Sequence, residues 1–301
     1  MDIKNHQKQT QALNSQQGSI LREGLKLKYC VEGVGVPAIV IGSAVYYSRS
    51  FSQNLRKHLR LAFIDWRGFS KDPANSVEVS LDTFLEDIEA MREHLGFKRC
   101  IIIGHSAHAL LALEYAKKYP QYVSHVVMIG ISPNLNAAHA KAAAQNWEES
   151  IWPERKAALE KRIRGLPDED LTKLPPDERF VKWYVRRDPQ AWYDFNFDSS
   201  WLWEGALPNM TMFDYLYGVA LHDLDITKGL STFENPVFLA LGRYDFIVAP
   251  SSSWEPFRPS FQDLTVRIFE HSGHSPQYEE SPLFDEELLG WISNHTGDKK
   301  V

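Results

Sequence analysis

The stretch Ile101-Ile102-Ile103-Gly104-His105-Ser106-Ala107-His108-Ala109, continued by Leu110-Leu111-Ala112-Leu113, decides the fold. A short run of branched apolar residues reads as a fully buried strand, and the alanine- and leucine-rich segment after it, over 110–118, reads as a helix. A strand that turns sharply into a helix leaves its middle residue at the tip of a strained turn. The Ser106 side chain then projects above the sheet, beside a helix N-terminus whose free N–H groups favour a developing negative charge. Gly104 and Ala109 are small enough to let helix and strand approach closely. The segment follows G-x-S-x-G except at its last position, where His108 stands in place of glycine.

Working outward, the same rhythm continues in both directions. Strands are expected at 25–32, 38–41 and 61–65, with a helix over 51–59 between the last two. A helix over 80–95 has Ser80 as its cap, while Leu81, Phe84, Leu85, Ile88, Met91 and Leu95 trace one apolar face. After strand 100–103 and helix 110–118 comes a strand at 125–131. Strands alternating with helices imply a mostly parallel sheet covered on both faces. Between about 134 and 229 the rhythm breaks into helical stretches rich in Ala, Lys, Arg and Glu, with many aromatics. It resumes with strands at 236–241 and 264–269 and ends in a helix over 282–295. The expected organisation is a polar, mobile arm at 1–18, an α/β core at 19–133, a helical cap at 134–230 and the rest of the core at 231–301.

A serine hydroxyl needs a general base at neutral pH. Phe269-Glu270-His271-Ser272-Gly273-His274 follows a strand and precedes a helix. His274 is the expected base, with Gly273 bending the loop before it; His271 competes but lies nearer the strand. An imidazole base needs a carboxylate to fix its tautomer. Asp245, in the loop after Leu239-Ala240-Leu241, precedes His274 by 29 residues, and the chain order Ser, Asp, His is that of one family of strand–helix enzymes.

These residues resemble the α/β-hydrolase superfamily over nearly the whole chain. Asp65-Trp66-Arg67-Gly68-Phe69-Ser70 is similar to the D-x-R-G-x-G-x-S loop after the fourth strand. Gly42-Ser43-Ala44-Val45-Tyr46-Tyr47 stands where the family carries an H-G-G-P-G or H-G-x-P oxyanion loop, with its His-Gly pair replaced. The resemblance implies an oxyanion hole made by the backbone N–H groups of Ala44 and Ala107, with Val45 the alternative to Ala44. The chain looks most like the proline-iminopeptidase-like branch, although the G-G-S-W-G elbow of those peptidases is absent. Serine-type macrolide esterases and acyl-homoserine-lactone hydrolases share the architecture, whereas relatives with an elbow aspartate are set aside by Ser106.

Trp201, Trp203, Phe213 and Tyr217 in the cap, together with Tyr46 and His108, are the candidate substrate-binding residues. Ligand pockets are mainly apolar and aromatic. For His108, packing on the sheet is the simpler reading beside substrate contact, and His105 reads as structural. The expected activity is hydrolysis of a carboxylic ester or lactone of a bulky, largely apolar substrate through an acyl-enzyme, a macrolide being the favoured example. Alternatives are a proline-iminopeptidase-like aminopeptidase, a cofactor-independent dioxygenase using the His–Asp pair, and a non-catalytic, hormone-receptor-like binding module. This chemistry calls for no cofactor and no metal.

Composition sets bounds on the rest. Against 33 Lys and Arg stand 39 Asp and Glu, a net charge of -6, which argues against nucleic acid as a partner. Hydrophobic residues at 44% and charged residues at 24% are ordinary for a globular chain. Cys30 and Cys100 lie in apolar runs and read as buried free thiols. The glutamine-rich first 17 residues lack the apolar core of a secretory signal, and no stretch is apolar enough to span a membrane. A cytoplasmic protein acting on a small molecule is expected.

Overall fold

The computed structural model describes residues 15–70 and 79–296. The core elements up to the sheet centre are β1 (Gln16–Arg22), β2 (Leu25–Glu32), β3 (Val36–Gly42), α1 (Ala44–Ser50), β4 (Leu59–Asp65), α2 (Leu81–His94), β5 (Cys100–His105), α3 (Ala107–Lys118) and β6 (Val123–Ile129). Seven helices follow: α4 (Ala137–Glu149), α5 (Pro153–Gly165), α6 (Asp168–Leu171), α7 (Pro176–Arg186), α8 (Asp188–Ala191), α9 (Ser200–Trp203) and α10 (Met210–Tyr215). The core then closes with β7 (Val237–Gly242), β8 (Leu264–Phe269), α11 (Pro276–Glu279) and α12 (Ser281–Thr296).

The strands form one sheet in the order β1-β2-β4-β3-β5-β6-β7-β8. β1 and β2 are antiparallel to their neighbours, and every pairing from β4 to β8 is parallel. The alternating side chains of the central strands feed two cores. Ile39, Ile41 and Ile102 pack with Leu110, Leu113 and Ile88 on one face. Val40, Ile101 and Ile103 pack with Phe51, Phe284 and Trp291 on the other. Burial on both faces is why these strands read as unbroken apolar runs. This is the α/β-hydrolase fold.

Three expectations need correction. The arm expected over residues 1–18 is shortened from its inner end, because Gln16, Gln17 and Gly18 already pair with Val31, Cys30 and Tyr29; residues 1–14 lie outside the described residues. The polar edge strand hides this in the sequence, and Gly18 leaves room for the Tyr29 ring, which a Cβ would overlap. The helix expected at 51–59 sits earlier, at α1, because Ser43 caps it immediately after β3 by accepting Tyr46 N–H. Phe51, Leu55 and Leu59 are buried at helical spacing, yet they belong to a loop with a single tight turn at Leu55–Lys57 and to the start of β4. Finally, β6 ends at Ile129 rather than 131, cut by Gly130 at φ 56°.

The helix expected over 80–95 is α2, with Ser80 and Thr83 in a reciprocal capping box. Cys30 and Cys100 are buried and free. Among the described residues between β6 and β7 there is no strand, and among all of them no helix is long and apolar enough to cross a membrane.

Candidate active site

Three segments meet at the carboxyl ends of the parallel strands, where open α/β sheets place their ligands. Ser106 follows β5, Asp245 follows β7 and His274 follows β8. Ser106 holds φ 56° and ψ -138°, a conformation costly for any residue with a side chain. Two hydrogen bonds over-determine it: its N–H donates to the Ile129 carbonyl (2.8 Å), and its carbonyl accepts from Ala109 N–H (2.8 Å). The tightness has a sequence cause, since a Cβ at Gly104 would overlap the His108 carbonyl and crowd the Ala109 Cα at 2.6 Å.

His274 is held by three hydrogen bonds. Its N–H donates to the Ala191 carbonyl of the cap (2.5 Å), and its carbonyl accepts from His105 Nε2 (2.8 Å). Its Nδ1 donates to Asp245 Oδ2 at 2.7 Å, and Asp245 Oδ1 accepts from Ile247 N–H at 2.9 Å. His274 and Asp245 are only 8% and 5% exposed. Below the ring, Gly130 leaves its φ and its missing Cβ to the His274 carbonyl, which a Cβ would meet at 2.5 Å. Gly273 bends the loop as expected, without a left-handed φ, and it is small so that the loop can pass the Ala191 carbonyl of the cap. Glu279 secures the loop by accepting the N–H groups of Gly273 (2.9 Å) and Ser275 (3.1 Å), one on each side of His274. Burial raises the Glu279 carboxyl to about 7. His271, the competing base, is exposed and rests against Tyr193.

Close to Ser106, in the wall of the same cavity, the Tyr47 hydroxyl sits between two imidazoles, 3.1 Å from His105 Nδ1 and 3.3 Å from His108 Nδ1. Burial drives His105 well below the usual histidine range and His108 down to about 4, so both rings are neutral at pH 7. Burial likewise raises the Tyr47 phenol.

The first expected oxyanion donor fails. Ala44 N–H donates to the buried Asp65 Oδ1 at 2.7 Å and is therefore already used. Of the next N–H groups, Tyr46 donates to Ser43 Oγ and Tyr47 to the Ser43 carbonyl. Among the described residues Val45 N–H and Ala107 N–H have no such partner, as the second and first residues of α1 and α3.

Ser106 and His274 border one partly open cavity of about 70 Å³, walled in part by residues of the cap. Of the six expected substrate-binding residues, Tyr46, His108, Trp203, Phe213 and Tyr217 line it. Trp201 does not: its ring packs against Tyr278, and its carbonyl accepts from Arg49 (2.9 Å). Neighbours in α9 lie about 100° apart around the helix axis, so only one of the Trp201–Trp203 pair can face the cavity. Reading the sequence missed Tyr47, Phe180, Tyr184 and Asp188 in the lining. Tyr47 was visible one turn beyond Ser43, but the three cap residues carry no local signal of their direction. The Tyr217 phenol reaches the Ser106 hydroxyl, and its oxygen lies 3.5 Å from that of Tyr184. Asp188 is saturated, taking Trp192 Nε1 (3.0 Å), Ser199 Oγ (2.6 Å), Ser199 N–H (3.0 Å) and Arg162 (3.0 Å). Its burial nevertheless raises the carboxyl to about 6.

Comparison with known proteins agrees with this geometry. Residues 35–167 match the alpha/beta hydrolase fold family. The chain is 37% identical over 272 residues to the AB hydrolase superfamily protein YclE of Bacillus subtilis (strain 168), covering 90% of this chain and 96% of that one. It is 24% identical over 229 residues to proline iminopeptidase PfmaB of Pestalotiopsis fici, covering 74% and 78%. A solved alpha/beta fold family hydrolase from Bacillus anthracis str. Sterne superimposes with a TM-score of 0.64 at 19% identity, covering 93% of this chain and 99% of that one.

Proposed function

Because this chain belongs to the α/β-hydrolase family, we propose that it is a serine hydrolase that cleaves a carboxylic ester or lactone through an acyl-enzyme on Ser106. The observation that carries this reading is the strained Ser106 elbow bordering the same cavity as His274, whose Nδ1 is pinned by Asp245 at 2.7 Å. Asp245 accepts the Nδ1 proton, which leaves Nε2 as the basic nitrogen. Nε2 takes the Ser106 proton as the oxygen attacks the carbonyl. The tetrahedral oxyanion is met by backbone N–H groups, and we assign these to Ala107 and Val45. His274 then protonates the leaving alkoxide, and water activated by the same nitrogen releases the acid and restores Ser106.

The cavity also speaks to substrate. Its volume of about 70 Å³ lies below the roughly 300 Å³ at which drug-sized pockets begin. It supports a compact, largely apolar acyl group among Tyr46, Phe213 and Trp203. A macrolide ring would have to leave most of its bulk outside this space, so a smaller ester or lactone is the better reading. An aminopeptidase needs a free acid to hold the substrate ammonium. The acid on this wall, Asp188, already receives four hydrogen bonds, which disfavours that alternative. The experiment is turnover of p-nitrophenyl butyrate by the wild type and by Ser106→Ala, with circular dichroism to verify folding. Loss of turnover in a folded variant supports the reading, and unchanged turnover refutes it.

A further inference from the structure

His108 Nε2 is buried and has no hydrogen-bond partner, although His108 borders the cavity that holds Ser106 and is itself only 7% exposed. A buried polar atom left unpaired is costly and asks for an explanation. The neighbouring rings settle which kind of partner it needs. His105 Nε2 lies 2.8 Å from the His274 carbonyl, an atom that only accepts, so this nitrogen carries the proton. In a neutral ring His105 Nδ1 is then a bare lone pair. The Tyr47 hydroxyl, 3.1 Å away, has one proton and must donate it there. What the Tyr47 oxygen still offers toward His108 Nδ1, at 3.3 Å, is a lone pair, so Nδ1 of His108 carries that ring's proton. The relay leaves His108 Nε2 as an acceptor without a donor. Packing alone would be served by phenylalanine, and glycine stands here in the G-x-S-x-G pattern.

We infer that His108 Nε2 accepts a hydrogen bond from the substrate, so that the enzyme selects esters carrying a hydroxyl or N–H group close to the scissile carbonyl. This rests on the serine-hydrolase reading above and narrows its substrate class. Behind His108, outside the cavity lining, the Trp66 indole N–H is also without a partner; its ring centroid lies 5.6 Å from that of His108, and it makes no hydrogen bond to it.

The test compares kcat/KM for ethyl 2-hydroxybutyrate, ethyl 3-hydroxybutyrate and 2-hydroxyethyl butyrate with the corresponding methyl ethers. Each ether keeps the inductive effect and size class but removes the donor. At least one hydroxyl ester should exceed its ether by about five-fold or more, the worth of one net hydrogen bond. In His108→Phe that ratio should collapse toward one. Equal ratios in the wild type, or a ratio that survives in His108→Phe, would overturn the inference. Should the variant fail to fold, ¹⁵N NMR of the wild type reads the tautomer directly. A pyridine-type Nε2 on His108 supports the relay, and a protonated Nε2, or one bonded to the Trp66 N–H, overturns it. If no ester is turned over at all, the hydrolase reading fails, and the tautomer stands or falls on the NMR alone.

Discussion

Replacing Asp245 by asparagine removes one charge and one acceptor while keeping the shape, and the surrounding bonds dictate how the site responds. In the native site both carboxylate oxygens accept: Oδ2 from His274 Nδ1 at 2.7 Å and Oδ1 from Ile247 N–H at 2.9 Å. An asparagine has a single oxygen to divide between them. The Ile247 N–H is backbone and cannot give up its proton, whereas the imidazole can move its own from one nitrogen to the other. The amide oxygen therefore goes to Ile247 and the NH2 group faces His274 Nδ1, forcing the proton onto Nε2. In that tautomer His274 cannot accept the proton of Ser106. Restoring the productive tautomer means turning the amide so that a buried N–H faces an NH2, at about 1–3 kcal/mol for the unsatisfied donor. That cost alone lowers the productive fraction roughly 5- to 150-fold. Loss of the carboxylate that steadies the imidazolium accounts for the rest of an expected fall of about 10⁴ in kcat, as for triads of this kind. The assay is kcat on p-nitrophenyl butyrate, with thermal unfolding to verify that the variant folds. A folded Asp245→Asn enzyme within ten-fold of the wild type would refute the reasoning.

Gly130→Ala places a Cβ 2.5 Å from the His274 carbonyl at φ 56°. Left-handed strain and overpacking together should cost about 2–4 kcal/mol in urea unfolding and lower kcat by displacing His274, and wild-type stability would count against it. Asp65 has a folded pKa raised by burial from 3.8 to about 7, so the folded state holds this proton more tightly than the unfolded chain. Its contribution is therefore fully present below about pH 4 and is lost as pH rises through about 7. The stability of the wild type relative to Asp65→Asn should fall across that window, by an amount on the order of 4 kcal/mol. A difference that is flat or rising with pH, from urea titrations at pH 4, 5.5 and 7.5, would contradict it.

What was legible in the sequence was whatever is written locally. The elbow could be read because a run of isoleucines, a glycine and an alanine-rich helix each belong to one stretch of chain. Ser80 announced α2 for the same reason. Asp245 and His274 were legible through order, since each sits just past an apolar strand. The direction of cap side chains was not legible: Trp201 and Trp203 are the same residue type two positions apart, and only the docking of α9 onto α1 decides between them. β1 was hidden because an edge strand with one solvated face needs little apolar sequence. The bend at Gly273 was legible, but its close approach to Ala191 was not, because a contact with a distant segment leaves no mark beside the glycine itself.

The loop after β3 shows how one replacement reorganises a site. Where the family pattern has His-Gly, this chain has Gly42-Ser43, and the serine starts a helix at once. Starting a helix there commits N–H groups that an open loop would leave free: Tyr46 to Ser43 Oγ and Tyr47 to the Ser43 carbonyl, while Asp65 takes Ala44. Among the described residues of this turn only Val45 N–H remains without such a partner, which is why the proposed oxyanion donor on this side is Val45. The same helix places Tyr47 in the gap between His105 and His108. The Tyr47 hydroxyl from this helix and the His105 backbone both meet the His108 ring and together favour its proton on Nδ1. Tyr47→Phe should therefore act through His108, weakening the preference for hydroxylated esters without changing a single atom of the Ser106–His274–Asp245 set.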